Sequence, residues 1–242
     1  MISSDLNILA NLLNTEGICS DTSALQRAIN LCYNVDHKES YRYDFGSLEF
    51  TPDQVGGVIP FGAEDLKLKF SISIGINKCD ETIICDPLNK LEFNIEIFGL
   101  YMDELNQCVR DLYCSWHLDK HIEKEGDLTT KYSHPHYHFC FGGRNMEENN
   151  HDYGACLILP SPRFAYPPMD AILGIDFILQ NYIHKDKTNK ILNNSEYKEI
   201  IIKSQERLWK PYFSSIASRW SDNFGLEVNP NYSFSKLLPF IN

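Results

Sequence analysis

The stretch "LKLKFSISIGI" at residues 66–76 alternates apolar and polar side chains without a break, and it decides the fold class. Successive side chains of a β-strand point to opposite faces, so this pattern predicts a strand with one buried and one solvent-facing side. The segment "LEFNIEIFG" at residues 91–99 repeats the alternation, and residues with high β-propensity dominate both segments. Together they predict half-buried strands of an antiparallel sheet.

Helical spacing replaces this alternation on the N-terminal side. Leucines recur at helical intervals near the start, and a second apolar run follows Asp21 or Ser23, either of which suits a helix N-cap. Residues 5–33 are therefore predicted to form two short helices. Residues 41–62 are rich in glycine and proline, and we predict one edge strand there.

Helical patterns return on the C-terminal side. Pro167 and Pro168 precede a nearly continuous apolar stretch, which suits the start of a helix buried against the sheet. Ser195 is predicted to cap a further helix that ends near Pro211. The predicted fold is a single α+β domain over residues 1–242. It comprises a helical N-terminal segment (1–35), an antiparallel meander sheet of five or six strands (41–160) and C-terminal helices packed on the sheet (167–220).

Composition and charge exclude several classes of protein. The formal net charge is −11 over 242 residues, so bulk charge disfavours binding to nucleic acid. The N-terminus has no basic region typical of a secretory signal, and no apolar run approaches the roughly 20 residues that span a bilayer. We therefore expect a cytoplasmic protein without membrane association, and we expect its eight cysteines to be reduced thiols.

A second hairpin is predicted in "RDLYCSWHLDKHIEKEGDLTTKYSHPHYHFCFGG", residues 110–143. If Gly126 and Asp127 form a two-residue turn, cross-strand partners have residue numbers that sum to 253. Tryptophan, leucine and phenylalanine then share one face. The other face gathers the pairs Ser115 with His138, His117 with His136, Asp119 with His134 and His121 with Tyr132.

This histidine-rich face is the predicted functional site. Imidazoles on opposed strands can share a metal such as zinc or manganese, and the predicted ligands are His117, His134 and His136. The predicted catalytic residues are His136, His138 and Asp119. Arg163 is the predicted anion contact, with an ion pair to Asp170 or Asp176 as the alternative. The competing interpretation of the histidines is a solvated face of the sheet.

The stretch "HPHYHFCFGGR", residues 134–144, resembles the signature of the histidine-triad nucleotide-binding family, in which alternating histidines on a strand precede Gly-Gly-Arg. The resemblance implies that His136 or His138 attacks an α-phosphate while the other histidines bind phosphate oxygens. The substrate expected on this basis is a small phosphorylated molecule.

The stretch "GACLILPSPRFAYPPMDAILGIDFIL", residues 154–179, resembles the active-site region of ubiquitin-conjugating enzymes. The resemblance implies that Cys156 is a thioester nucleophile, whereas its apolar neighbours also suit a buried core cysteine. The sequence thus favours a metal-dependent or histidine-nucleophile hydrolase or phosphoryl-transfer enzyme. The alternatives are a ubiquitin-conjugating-like protein using Cys156 and a non-catalytic interaction protein with a protein partner.

Overall fold

The computed structural model describes residues 2–33, 35, 40–53, 62–79, 82–121, 134–142, 146, 163–220 and 227–239. The helices are α1 (Ile2–Thr15), α2 (Ser23–Leu31), α3 (Ala171–Tyr182), α4 (Lys185–Asn193), α5 (Ser195–Ala217) and α6 (Phe234–Leu237). The strands are β1 (Tyr41–Phe50), β2 (Glu64–Ile76), β3 (Ile83–Ile84), β4 (Leu88–Asp103), β5 (Cys108–Lys120), β6 (Tyr137–Phe141), β7 (Phe164–Ala165) and β8 (Glu227–Val228).

Six of the described strands form one antiparallel sheet in the order β1-β2-β4-β5-β6-β7. β3 and β8 pair separately as a short parallel ladder. Helices precede the sheet in the chain and follow it, so the predicted α+β class is confirmed. The two alternating segments at 66–76 and 91–99 lie in neighbouring strands, with Phe70 opposite Ile95.

Helix α3 packs on the apolar face of this sheet, which is called the covered face below. A Cβ atom at Gly174 would lie 2.4 Å from Cε2 of Phe93 and 2.7 Å from Cζ of Phe70. Such distances are far inside van der Waals contact, so the helix can approach this closely only because residue 174 is glycine. The apolar positions of the alternating segments therefore form the core.

The C-terminal helices differ in two details from the prediction. Asn194 rather than Ser195 caps α5, because its side chain accepts a hydrogen bond from the Tyr197 amide. The expected end near Pro211 is wrong, since α5 continues to Ala217 with Leu208 and Tyr212 buried on either side of the proline. Despite its 23 residues, α5 is too polar to cross a bilayer, and no other helix in the described ranges qualifies.

The strand register of the second hairpin also differs from the prediction. The observed pairs are Trp116–Phe141, His117–Cys140, Leu118–Phe139, Asp119–His138 and Lys120–Tyr137. Their numbers sum to 257 rather than 253, so the predicted register is wrong by four residues. An even shift leaves every side chain on its predicted face, because facing repeats every two residues. The turn predicted at Gly126 and Asp127 lies outside the described residues.

One pair of cysteines is oxidised, which corrects the expectation that all are thiols. Cys79 and Cys85 form a disulfide across a Cα–Cα distance of 6.0 Å. That distance falls within the range that a disulfide spans, and only six positions separate the two residues in the chain. Five other described cysteines, at positions 19, 32, 108, 114 and 140, are free.

Candidate functional site: a histidine and cysteine cleft on the open face

The second face of the sheet carries mainly polar side chains and is called the open face. Its polar side chains come from the alternate positions of the same strands, such as Ser71 on β2 and Asn94 on β4. A cleft of about 680 Å³ lies on this face. Its lining includes His117, Asp119, His121, His134, His138, Cys140 and Arg163, with Arg42 and Asn89 toward β1.

Strand alternation brings three potential metal ligands together in the cleft. His117 lies directly opposite Cys140 across the β5–β6 ladder, and His138 is two residues before Cys140 on the same face. One side-chain ligand atom from each of these three residues lies within 4.8 Å of the others. Imidazole nitrogen and thiolate sulfur are the ligands that zinc prefers, so the group is chemically suited to a transition metal.

His134 adds a further imidazole to the cleft. Its ring stacks on His121 at a centroid distance of 4.2 Å, and its Nε2 lies 3.3 Å from Nε2 of His138. The Nδ1 atoms of both His134 and His138 are buried and make no hydrogen bond with any described residue. Because unsatisfied buried polar atoms cost about 1–3 kcal/mol each, these two nitrogens mark a place where a ligand would add stability.

The electrostatics of the cleft keep His134 and His138 neutral. Burial, reinforced by the neighbouring His134, lowers the pKa of His138 to about 3. Burial and the positive charge of Arg163 lower the pKa of His134 to about 4. Neutral imidazoles have the free lone pair that a metal ion requires.

Burial raises the pKa values of the acidic groups in the cleft, the Cys140 thiol and the Asp119 carboxyl, whereas it lowers those of His134 and His138. Burial raises the pKa of the Cys140 thiol to about 11. Burial also raises the pKa of the Asp119 carboxyl, although the nearby His117 opposes the shift. An Asp119 oxygen lies 3.7 Å from Nε2 of His117. Thus the cleft without a metal holds a protonated thiol and a carboxylate that takes up a proton more readily than usual.

His136 does not line the cleft, although the sequence pattern placed it between His134 and His138. β6 begins only at Tyr137, so the alternation that aligns His138 with Cys140 does not extend to His136. Its Nε2 lies 2.6 Å from Oδ2 of Asp86, and the same oxygen lies 2.6 Å from Nζ of Lys120. The Tyr137 hydroxyl donates to the other carboxylate oxygen, Oδ1. His136 is therefore part of a separate group, called the Asp86 network below.

Arg163 lines the cleft, and its role as an anion contact stays a prediction. The alternative ion pair is wrong, because other groups occupy both carboxylates. Asp170 accepts hydrogen bonds from Ser204 and Arg207, each at 2.6 Å, while Asp176 accepts from Tyr197 and Gln180. Arg163 forms no ion pair with another residue in the described ranges.

Sequence reasoning missed Cys140 as a potential metal ligand, although the sequence contains a signal for it. Cys140 follows His138 by two residues in "HPHYHFCF", so strand alternation alone places both on one face. The predicted nucleophile Cys156 lies outside the described residues, and its proposed role stays a prediction. Of the predicted site residues, the structure brings together His117, Asp119, His134, His138 and Arg163.

Comparison with known proteins gives no relative from which a role for this cleft could be transferred. No protein-family model, no curated protein and no solved structure matches the chain.

Proposed function

We propose that the cleft is a metal centre of the zinc class, bound by His117, His138 and Cys140, and that it hydrolyses a small phosphorylated molecule. The observation that carries the proposal is the convergence of the three potential ligand atoms within 4.8 Å of one another in the lining of the cleft. Ligand atoms on one tetrahedral zinc lie about 3.3–3.8 Å apart, so a modest closure of the side chains would complete the site.

A three-ligand set leaves a fourth position for water or substrate, which is typical of catalytic rather than structural zinc. The metal would supply a Lewis acid and lower the pKa of the attacking water. The side of the cleft beyond the ligands carries Arg163, whose guanidinium suits the paired oxygens of a phosphate.

Each group then has a defined part in hydrolysis. The water oxygen forms a bond to phosphorus, the bond between phosphorus and the leaving oxygen breaks, and Asp119 takes the proton released by the water. That proton passes to solvent, which also protonates the leaving oxygen. Arg163 binds the phosphate oxygens and stabilises their charge, while His134 lies beside the ligands as a hydrogen-bond partner for the substrate.

The first test is metal content, measured by mass spectrometry on protein purified without a histidine tag or chelator. We expect near-stoichiometric zinc or a related metal in the wild type and its loss in His138→Ala and Cys140→Ser. His184→Asn is the matched control. It removes an imidazole that caps α4 and does not line the cleft, and it supplies a side chain that also caps helices well.

Cobalt substitution gives a second signature that does not depend on activity. A cobalt-loaded wild type should show thiolate-to-metal charge-transfer absorption, which Cys140→Ser should abolish. Wild-type protein that binds no metal would overturn the proposed metal centre. Metal-free hydrolysis that depends on His138 would instead favour the histidine nucleophile that the resemblance to the histidine-triad family implies.

A further inference from the structure

The cleft extends beyond the proposed metal ligands toward β1, where Arg42 and Asn89 contribute to its lining. Gly75, which lies opposite Arg42 in the β1–β2 ladder, makes room for both side chains. A Cβ atom at Gly75 would lie 2.0 Å from Oδ1 of Asn89 and 3.4 Å from Cγ of Arg42. The two side chains therefore meet above a glycine, on the same face as the histidines.

A hydrogen bond fixes the orientation of the Asn89 side chain, but its Oδ1 accepts no hydrogen bond from the described residues. Its Nδ2 donates to Oδ1 of Asn77 at 2.9 Å, and Asn77 in turn donates to the Asp86 carbonyl. Asn89 Oδ1 is buried and accepts no hydrogen bond from the described residues. A buried acceptor without a donor is costly, so a ligand with an O–H or N–H group at this point would be favoured.

Arg42 supplies the complementary charge. It is exposed and forms no ion pair within the described part of a chain whose net charge is −11. Among the described cations of the cleft, Lys90 is paired with Glu92 and Lys120 with Asp86. Arg42 therefore remains available to an anionic group at this end of the cleft, as Arg163 does near the histidines.

We propose that Arg42, Asn89 and Gly75 form a second subsite, which binds a carboxylate or phosphate that carries an O–H or N–H donor beside it. Three strand-to-strand steps separate β1 from β5, so the two backbones lie roughly 14 Å apart. Since side chains reach inward from both, the ligand groups would be separated by on the order of 10 Å. The substrate class inferred is an elongated molecule with an anion at each end, and its placement at the metal rests on the proposed function.

The probes for this subsite are α-amino-ω-phosphono acids with propanoate, pentanoate and heptanoate chains. They combine a phosphonate for the metal and Arg163 with a carboxylate and ammonium for Arg42 and Asn89. Calorimetry on zinc-loaded protein should give affinities that rise with chain length. Arg42→Ala should weaken the heptanoate compound by roughly tenfold to a hundredfold, the range expected for one charge-assisted interaction, and leave methylphosphonate unchanged.

Two comparisons isolate the subsite. Lys67→Ala removes an exposed cation of β2 that does not line the cleft, and it should leave every affinity unchanged. Removing the amino group from the heptanoate probe should weaken binding to wild type but not to Asn89→Ala, since that variant lacks the acceptor. Gly75→Ala, which forces Asn89 aside, should show the same loss of preference for the amino group.

The subsite is overturned if Arg42→Ala weakens the long probe no more than Lys67→Ala does, or if it weakens methylphosphonate equally. Failure of the proposed metal centre has a different signature, because methylphosphonate would then bind with the same affinity with and without zinc. Persistent dependence on Arg42 and on the amino group in that case would still support the subsite. A probe series with a phosphate-and-hydroxyl tail in place of the amino acid distinguishes the two sources of the anionic end.

Discussion

Two clusters of polar side chains flank the start of β6. The side chains of one cluster are hydrogen-bonded to each other, whereas the other cluster contains buried nitrogens without hydrogen-bond partners among the described residues. In the Asp86 network, one carboxylate binds Lys120, His136 and the Tyr137 hydroxyl. In the cleft, His134 and His138 keep buried Nδ1 atoms without partners among the described residues. The two histidines at 136 and 138 thus belong to groups of different kinds. A satisfied network indicates a structural role, whereas convergent unsatisfied donors and acceptors indicate a binding site.

The largest expected effect comes from removing the centre of the satisfied network. Asp86 and Lys120 have side chains only 16% and 12% exposed, so Asp86→Ala would leave a nearly buried cation without its partner. We expect the free energy of unfolding in urea to fall by about 3–5 kcal/mol. Asp111→Ala, at an exposed position of β5, is the control and should change it by no more than about 0.5 kcal/mol. Equal effects of the two substitutions would show that the network contributes nothing to stability.

The next largest effect is expected when His136→Gln and His138→Gln are compared with and without zinc. In protein treated with chelator, His136→Gln should lower the free energy of unfolding. His138→Gln should change it by about 1 kcal/mol or less, because the substitution removes a buried nitrogen that has no hydrogen-bond partner among the described residues. With zinc at a hundredfold excess over its dissociation constant, wild type and His136→Gln should gain about 2.7 kcal/mol.

His138→Gln should show none of this gain, since it lacks one of the three proposed ligands. Thermal unfolding with and without zinc measures both effects on the same samples. A zinc response that survives in His138→Gln but disappears in His136→Gln would reverse the assignment of the two residues. That outcome would restore His136 as the metal ligand that the sequence pattern first indicated.

The contrast between the two groups also shows how far the sequence alone could predict the site. Alternation in 66–76 and in "HPHYHFCF" predicts the strands and their facing, and facing survives the four-residue error in register because the shift is even. Because both residues were predicted on the same face of the sheet, the proximity of His117 and His138 could be predicted from the sequence. The partner of His136 could not be predicted, because Asp86 lies 50 residues earlier in the chain and reaches it only through the tertiary fold.

Acid titration gives the smallest effect and tests the Asp86 network without deleting a side chain. Burial raises the pKa of the Asp86 carboxyl, but the hydrogen bond from His136 and the charge of Lys120 outweigh burial, so the net pKa lies below the ordinary 3.8. A carboxyl whose pKa is lowered by folding adds stability above its ordinary value and loses that contribution as the pH falls through the folded value.

The difference in unfolding free energy between wild type and Asp86→Asn should therefore narrow as the pH falls below about 4. Each unit by which folding lowers the pKa corresponds to about 1.4 kcal/mol of this difference. Urea titrations with chelator present measure it, and contributions from the other carboxylates cancel between the two proteins. A difference that stays constant down to pH 2 would mean that Asp86 titrates alike in the folded and unfolded chains. The hydrogen bonds from His136 and Lys120 would then confer no preference for the ionised carboxylate, and the structural role assigned to His136 would lose its physical basis.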